Sequence, residues 1–74
     1  MTSLVAIVAC GKGTKAQIVR LSATGEHLRK LTALGVLPGT KIEVLQLSPT
    51  FVLKVGYAEI ALDYEIAQNI IVDR

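Results

Sequence analysis

The sequence contains few of the residues from which catalytic and metal sites are usually built. Its 74 residues include one cysteine, one histidine and no tryptophan. A single cysteine, Cys10, excludes an internal disulfide and a Cys-x-x-Cys metal pair, and fits a reducing cytosol. The only histidine, His27, stands beside Glu26, and two side chains do not make the converging ligand set that a tight metal site needs. We therefore predict no active site and no enzymatic activity, and we expect an exposed His27 and a buried thiol.

Long apolar runs and dense positive charge are also missing. The longest apolar stretch, residues 4–10, has seven residues, whereas a membrane-spanning helix needs ~20. The segment 11–14 reads Gly-Lys-Gly-Thr, but it lacks the glycine five residues before the lysine that a phosphate-binding loop requires. The net charge is only +2, and the basic residues are too sparse for a nucleic-acid stripe. The sequence thus argues against membrane insertion, nucleotide binding and nucleic-acid binding.

The composition is unusually apolar for so short a chain. Hydrophobic residues make up 51% and charged residues 19%. A chain of this length is expected to form one domain, residues 1–74, and to bury only ~60–65% of its unfolded surface. So many apolar residues indicate a dense core, an apolar patch that contacts a partner, or both.

The segment 28–35 predicts a short helix with a defined end. Leu28, Leu31 and Leu34 are spaced three apart, which places them along one helix face. Thr24 is the natural N-terminal cap of this helix. Gly35 follows the last leucine, where a left-handed residue commonly closes a helix.

A tight corner and a strand should follow this helix. Pro38-Gly39 suits a type II turn, because proline presets the first central residue and glycine accepts the positive φ of the second. From residue 40 the pattern alternates, with Ile42 and Val44 on one face. These features predict a half-buried strand over residues 40–47.

The rest of the chain predicts further short strands and one helical turn. Gly56 separates two alternating segments, which indicates a tight hairpin or a bent ribbon. Asp63 is placed to cap a helical turn over residues 63–68. The segments with a β pattern are residues 4–10, 16–21, 40–47, 51–55, 57–62 and 70–72. We predict a mainly β fold, a small barrel of about five strands with one short α-helix and a helical turn, in which residues 4–10 pair within the barrel or with another copy.

Two blocks of the sequence resemble the FeoA family, the small cytosolic proteins of bacterial ferrous iron transport systems. The first block is Leu31-x-x-Leu34-Gly35-x-x-Pro38-Gly39-Thr40-x-Ile42-x-Val44, and the second runs from Val55-Gly56 through Ile60-Ala61-Leu62 and Ile66-Ala67 to Ile70-x-Val72. The resemblance implies an SH3-like β-barrel with a helical insertion before the Pro-Gly corner. It also implies a cytoplasmic accessory protein that associates with the large membrane GTPase transporting ferrous iron. A similar module ends certain iron-dependent repressors.

Two functional hypotheses follow. In the first, the chain is a non-enzymatic module that docks on the iron transporter, through a surface of Arg29, Lys30, Val36, Leu37 and Pro38. In the second, the chain binds ferrous iron or another divalent transition metal directly, for sensing or delivery, through Glu26, His27 or the C-terminal carboxylates. We expect Leu37 to be exposed in the first case, the alternative being that Leu37 covers the core under the helix. A homo-oligomer remains open in both.

Overall fold

A computed structural model describes residues 3–74 and arranges six strands around an apolar core. Two helices, α1 (Gly25–Ala33) and α2 (Tyr64–Ala67), lie between strands along the chain, and a 3₁₀ turn, Ile7–Ala9, follows the first strand. The strands are β1 (Leu4–Ala6), β2 (Lys15–Leu21), β3 (Lys41–Gln46), β4 (Phe51–Val55), β5 (Ala58–Leu62) and β6 (Ile70–Asp73).

The strands form one sheet in the order β1-β6-β2-β3-β4-β5, and every neighbouring pair is antiparallel. The predicted mainly β fold is confirmed, with six strands among residues 3–74 instead of about five. The sheet is not closed by hydrogen bonds, because β1 and β5 are its two edges. β1 is only three residues long and turns into the 3₁₀ segment, so it offers little backbone for a second neighbour.

Residues 4–10 do not form the single β segment that was predicted. Only Leu4–Ala6 is a strand, and it pairs with β6 inside the sheet. The 3₁₀ turn then directs Ile7 into the core, where it is fully buried, and Cys10 is buried after it. The sequence pattern could not locate this change, since an unbroken apolar run has no periodicity to separate strand from turn.

The core contains only apolar side chains, and no polar or charged residue among residues 3–74 is buried. Antiparallel register aligns the inward-facing residues in rows across the sheet, such as Ala16 opposite Ile42 and Ile42 opposite Val55. The largest fully buried side chains are Ile7, Ile18, Leu31, Leu53, Leu62, Ile70, Val36, Val44 and Val72. The apolar composition is therefore largely accounted for by one dense core.

The β4–β5 connection is the tight hairpin allowed by the sequence. Val55 pairs with Ala58, so that Gly56 and Tyr57 form a two-residue loop. Gly56 has φ +62°, whereas Tyr57 has no positive φ, as expected for a type II′ turn with glycine in the first central position. The structural role predicted for Gly56 is thus confirmed.

Candidate docking surface on helix α1 and the Pro-Gly corner

Helix α1 buries one of its three spaced leucines. Leu31 has no exposed surface, whereas Leu28 is 38% exposed and Leu34 is 36% exposed. A step of three residues falls about 60° short of a full turn, so the three side chains spread around the helix. The nine-residue helix therefore reaches the core through Leu31 alone. Of the three leucines predicted to share a helix face, only Leu31 is buried.

The predicted helix caps are only partly observed. Thr24 and Asp63 occupy the N-cap positions of α1 and α2, but neither side chain makes a capping hydrogen bond. At α2 the carbonyl oxygen of Asp63 accepts the first hydrogen bonds of the helix, from the N–H groups of Ile66 and Ala67 at 3.1 and 2.9 Å.

The C-terminal end of α1 is closed by a Schellman motif. Gly35 has φ +84°, and its N–H donates to the Thr32 carbonyl oxygen at 3.0 Å. The Val36 N–H donates to the Leu31 carbonyl oxygen at 2.9 Å, which is the paired bonding of this motif. The role predicted for Gly35 is confirmed. Val36 is fully buried, so its prediction as a partner-binding residue was wrong: the motif turns its side chain inward with Leu31.

The Pro38-Gly39 corner is a type II turn, as predicted. The Thr40 N–H donates to the Leu37 carbonyl oxygen at 3.1 Å, and Gly39 has φ +92°. Two further hydrogen bonds attach the corner to β2. The Gly39 N–H donates to the Ile18 carbonyl oxygen at 2.7 Å, and the Ile18 N–H donates to the Thr40 carbonyl oxygen at 2.9 Å. The corner is therefore held by the sheet.

Apolar and basic side chains are both exposed along residues 29–38. Leu37 is 42% exposed, and Pro38, Arg29 and Lys30 are also exposed. Leu34 belongs with them, since it lies one helical turn after Lys30 and its side chain neighbours that lysine. We call these five residues the helix–corner patch. Val36 points inward between Leu34 and Leu37, which leaves both leucines outside the core.

The two metal candidates do not converge. Glu26 is exposed and His27 is half-buried, and both lie in the first turns of α1. Consecutive helical residues do not face each other, so the two side chains diverge from the helix axis. Among residues 3–74 no three His, Cys, Asp or Glu side chains are grouped so that they could hold a metal ion.

No helix in the described part of the chain, residues 3–74, is long and apolar enough to cross a membrane.

We predict that the purified protein binds no divalent metal tightly. Calorimetric titration with ferrous iron under anaerobic conditions should detect no sub-micromolar affinity, because a tight site needs several converging ligands. The matched control is His27→Ala, which should give the same titration curve. Sub-micromolar binding that is lost in His27→Ala would favour the metal-binding hypothesis instead.

Strands β2, β3 and β4 carry a groove that was not predicted from the sequence. Its volume is about 500 Å³, and three of its lining residues are lysines from different strands. The lining residues are Lys15, Ala16, Gln17, Lys41, Ile42, Glu43, Lys54 and Gly56. The lysines lie far apart in sequence and are brought together only by strand register, so no local motif marks them.

Comparison with known proteins places the chain in a family. A family model described as the FeoA domain matches residues 5–74, which is nearly the whole chain. The chain belongs to the FeoA family. The family is associated with iron transport, and the resemblance inferred from the two sequence blocks, residues 31–44 and 55–72, is confirmed. A search of curated proteins found no match.

Solved structures share the fold of this FeoA-family chain. A crystal structure of an iron uptake regulatory protein (FeoA) is 26% identical, with a TM-score of 0.86 and coverage of 95% of both chains. The solution structure of iron(II) transport protein A from Clostridium thermocellum is 33% identical with a TM-score of 0.86, over 93% of this chain and 44% of that one. The T. acidophilum IdeR crystal structure is 26% identical with a TM-score of 0.90, over 96% of this chain and 34% of that one. The chain thus spans less than half of the last two structures.

Proposed function

We propose that this chain is a small cytosolic accessory protein of a bacterial ferrous iron transport system. It docks through the helix–corner patch on the cytosolic GTPase part of the membrane iron transporter and modulates it without catalysing a reaction itself. Membership of the FeoA family supports the link to iron transport. The observation that carries the docking proposal is the exposed apolar corner at Leu37 and Pro38, next to a helix that exposes Arg29 and Lys30.

The rigidity of the corner suits it to binding. Hydrogen bonds to Ile18 hold Gly39 and Thr40 against β2, and the Schellman motif fixes the chain direction before Leu37. A surface that is already ordered loses little conformational entropy when a partner binds. Leu37 therefore meets the transporter in the position that it already occupies in the free protein.

The chemistry of the patch indicates what it contacts. Leu34, Leu37 and Pro38 supply apolar area, while Arg29 and Lys30 supply positive charge. An interface of this kind has an apolar centre and a polar rim, and complementary charge speeds association. The matching transporter surface is an apolar depression with acidic residues around it.

We expect Leu37→Ser to weaken docking while leaving the fold intact. An exposed substitution usually changes the free energy of unfolding by less than about 0.5 kcal/mol. Loss of a modest apolar anchor should weaken association with the transporter by ~1–2 kcal/mol, or roughly 5- to 30-fold in Kd. Thermal unfolding and calorimetric binding to the cytosolic GTPase part should be measured on the same variant.

Leu47→Ser is the matched control for this experiment. Leu47 is 44% exposed, but it follows the far end of β3, roughly 20 Å from the corner at ~3.3 Å per residue. Its substitution should change neither stability nor binding appreciably. If Leu37→Ser binds as tightly as the wild type, the patch is not the docking site. If Leu37→Ser instead loses much of its stability, Leu37 belongs to the core.

A further inference from the structure

Strand β5 has one backbone edge with which no part of residues 3–74 pairs. It is the last strand in the sheet order, and no other strand of residues 3–74 lies beyond it. Proteins usually protect such an edge with lysine, proline or a bulge. The five residues Ala58–Leu62 include one charged residue, Glu59, but neither lysine nor proline, and the pairing of β5 with β4 runs without a register shift.

Hydrogen bonds between β3 and the residues just before β2 show which main-chain groups of β5 point away from the sheet. The Val44 N–H donates to the Thr14 carbonyl oxygen at 2.9 Å, and the Gly13 N–H donates to the Val44 carbonyl oxygen at 2.7 Å. Val44 therefore directs its main chain toward β2. Because successive residues of a strand direct these groups to opposite sides, Glu43 faces β4.

Strand register carries this alternation across to β5. Glu43 pairs with Lys54, so Lys54 faces β3 and its neighbour Leu53 faces β5, where it pairs with Ile60. Ile60 thus directs its N–H and C=O groups toward β4. The residues on either side of it, Glu59 and Ala61, direct theirs to the open side, and both residues are exposed.

We propose that β5 pairs antiparallel with β5 of a second copy of this chain. A two-fold axis passes beside Ile60, and Glu59 of each copy lies opposite Ala61 of the other. This register joins the outward-facing groups of Glu59 and Ala61 in hydrogen-bonded pairs. Moving the strand register to the next hydrogen-bonded pairing in one direction would place Glu59 opposite Glu59 of the other copy. Moving it in the other direction would place Glu59 opposite Asp63. Like charges directly opposite each other are unfavourable, so the charge pattern selects the register between them.

The side chains around β5 also fit a second copy. Ile60 is only partly buried against the core, and in this register it meets Ile60 of the other copy in a close, non-hydrogen-bonded pair. Tyr57 is fully exposed and Tyr64 is 64% exposed, and they flank β5 at its two ends. The register brings Tyr57 to the level of residue 63 in the other copy, next to Tyr64. Tyrosine is enriched among the residues that dominate interface energies.

The proposed dimer does not depend on the proposed function. The helix–corner patch is attached to β2, three places from β5 in the sheet order. A dimer through β5 can therefore exist whether or not the patch docks on a transporter, and the two proposals can fail separately.

Opposite charges at position 61 test the register directly. Ala61→Lys places a lysine opposite Glu59 of the other copy at both symmetry-related positions, whereas Ala61→Glu places a like charge there. Sedimentation equilibrium of the full chain should show a dimer for the wild type. The dimer should be tighter in Ala61→Lys and weaker in Ala61→Glu, each by roughly 2- to 30-fold in Kd. Thermal unfolding of the monomers should differ little, because Ala61 is exposed.

Two further variants locate the contacting edge. Ala61→Pro removes an N–H that faces the open side, so it should abolish the dimer while the sheet, which tolerates proline at an edge, remains folded. Val5→Lys alters the opposite edge, β1, and should leave the dimer unchanged. A wild type that stays monomeric at millimolar concentration would overturn the proposal. Equal Kd values for Ala61→Lys and Ala61→Glu, or a dimer dissociated only by Val5→Lys, would also overturn it.

Discussion

Leu31→Ala should lower the free energy of unfolding by about 2–5 kcal/mol, the range for removing a fully buried leucine side chain. Leu31 is the only buried residue of α1 and has no exposed surface. Its carbonyl oxygen also accepts the hydrogen bond from Val36 that closes the helix. Since a domain of this size is expected to be stable by only about 3–5 kcal/mol, the substitution should leave much of the protein unfolded at 37 °C.

The neighbouring leucines of α1 are matched controls for this substitution. Leu28→Ala and Leu34→Ala remove the same atoms from side chains that are 38% and 36% exposed. They should cost about 1 kcal/mol or less, because part of their surface is in water already. Urea denaturation of all three variants compares them directly. Similar losses at the three positions would contradict the finding that one leucine anchors the helix.

Gly39→Val should lower the free energy of unfolding by about 1–3 kcal/mol, or roughly 4–24 °C in melting temperature. Gly39 has φ +92° in the type II turn, a conformation that a β-branched residue adopts only under strain. A Cβ at this position would meet no atom within 4 Å. A clash at the Cβ is therefore excluded, and the expected loss comes from the strained backbone conformation.

Gly11→Val is the control that isolates this backbone term. A Cβ at Gly11 also meets no atom within 4 Å, but Gly11 does not have a positive φ. Its substitution should change the melting temperature by only a few degrees. An unchanged melting temperature in Gly39→Val would show that residue 39 does not hold the second central position of the turn.

The local turns were predictable from sequence because their chemistry is contained in a few residues. Gly35, Gly39 and Gly56 all have positive φ, and each was identified from the proline, leucine or alternating residues beside it. The exposed state of Leu37 was also anticipated from the sharp change of chain direction. Such features need no knowledge of what packs against them.

The inward or outward direction of individual side chains was less predictable. Val36 was expected on the surface and is buried, whereas Leu28 and Leu34, which were predicted to share a helix face with Leu31, are partly exposed while Leu31 is buried. These outcomes depend on how a short helix rests on the sheet, and three-residue spacing alone does not determine that. The lysine-lined groove and the free edge of β5 likewise depend on strand order, which local patterns do not reveal.

The most direct test of the proposed function is the affinity of the full chain for the purified cytosolic GTPase part of the transporter, measured at low and at physiological ionic strength. Docking through the helix–corner patch predicts saturable binding at both salt concentrations. The binding should be weaker at the higher salt, because Arg29 and Lys30 are exposed and their attraction to an acidic surface is screened. Absence of binding at both ionic strengths would contradict the docking proposal.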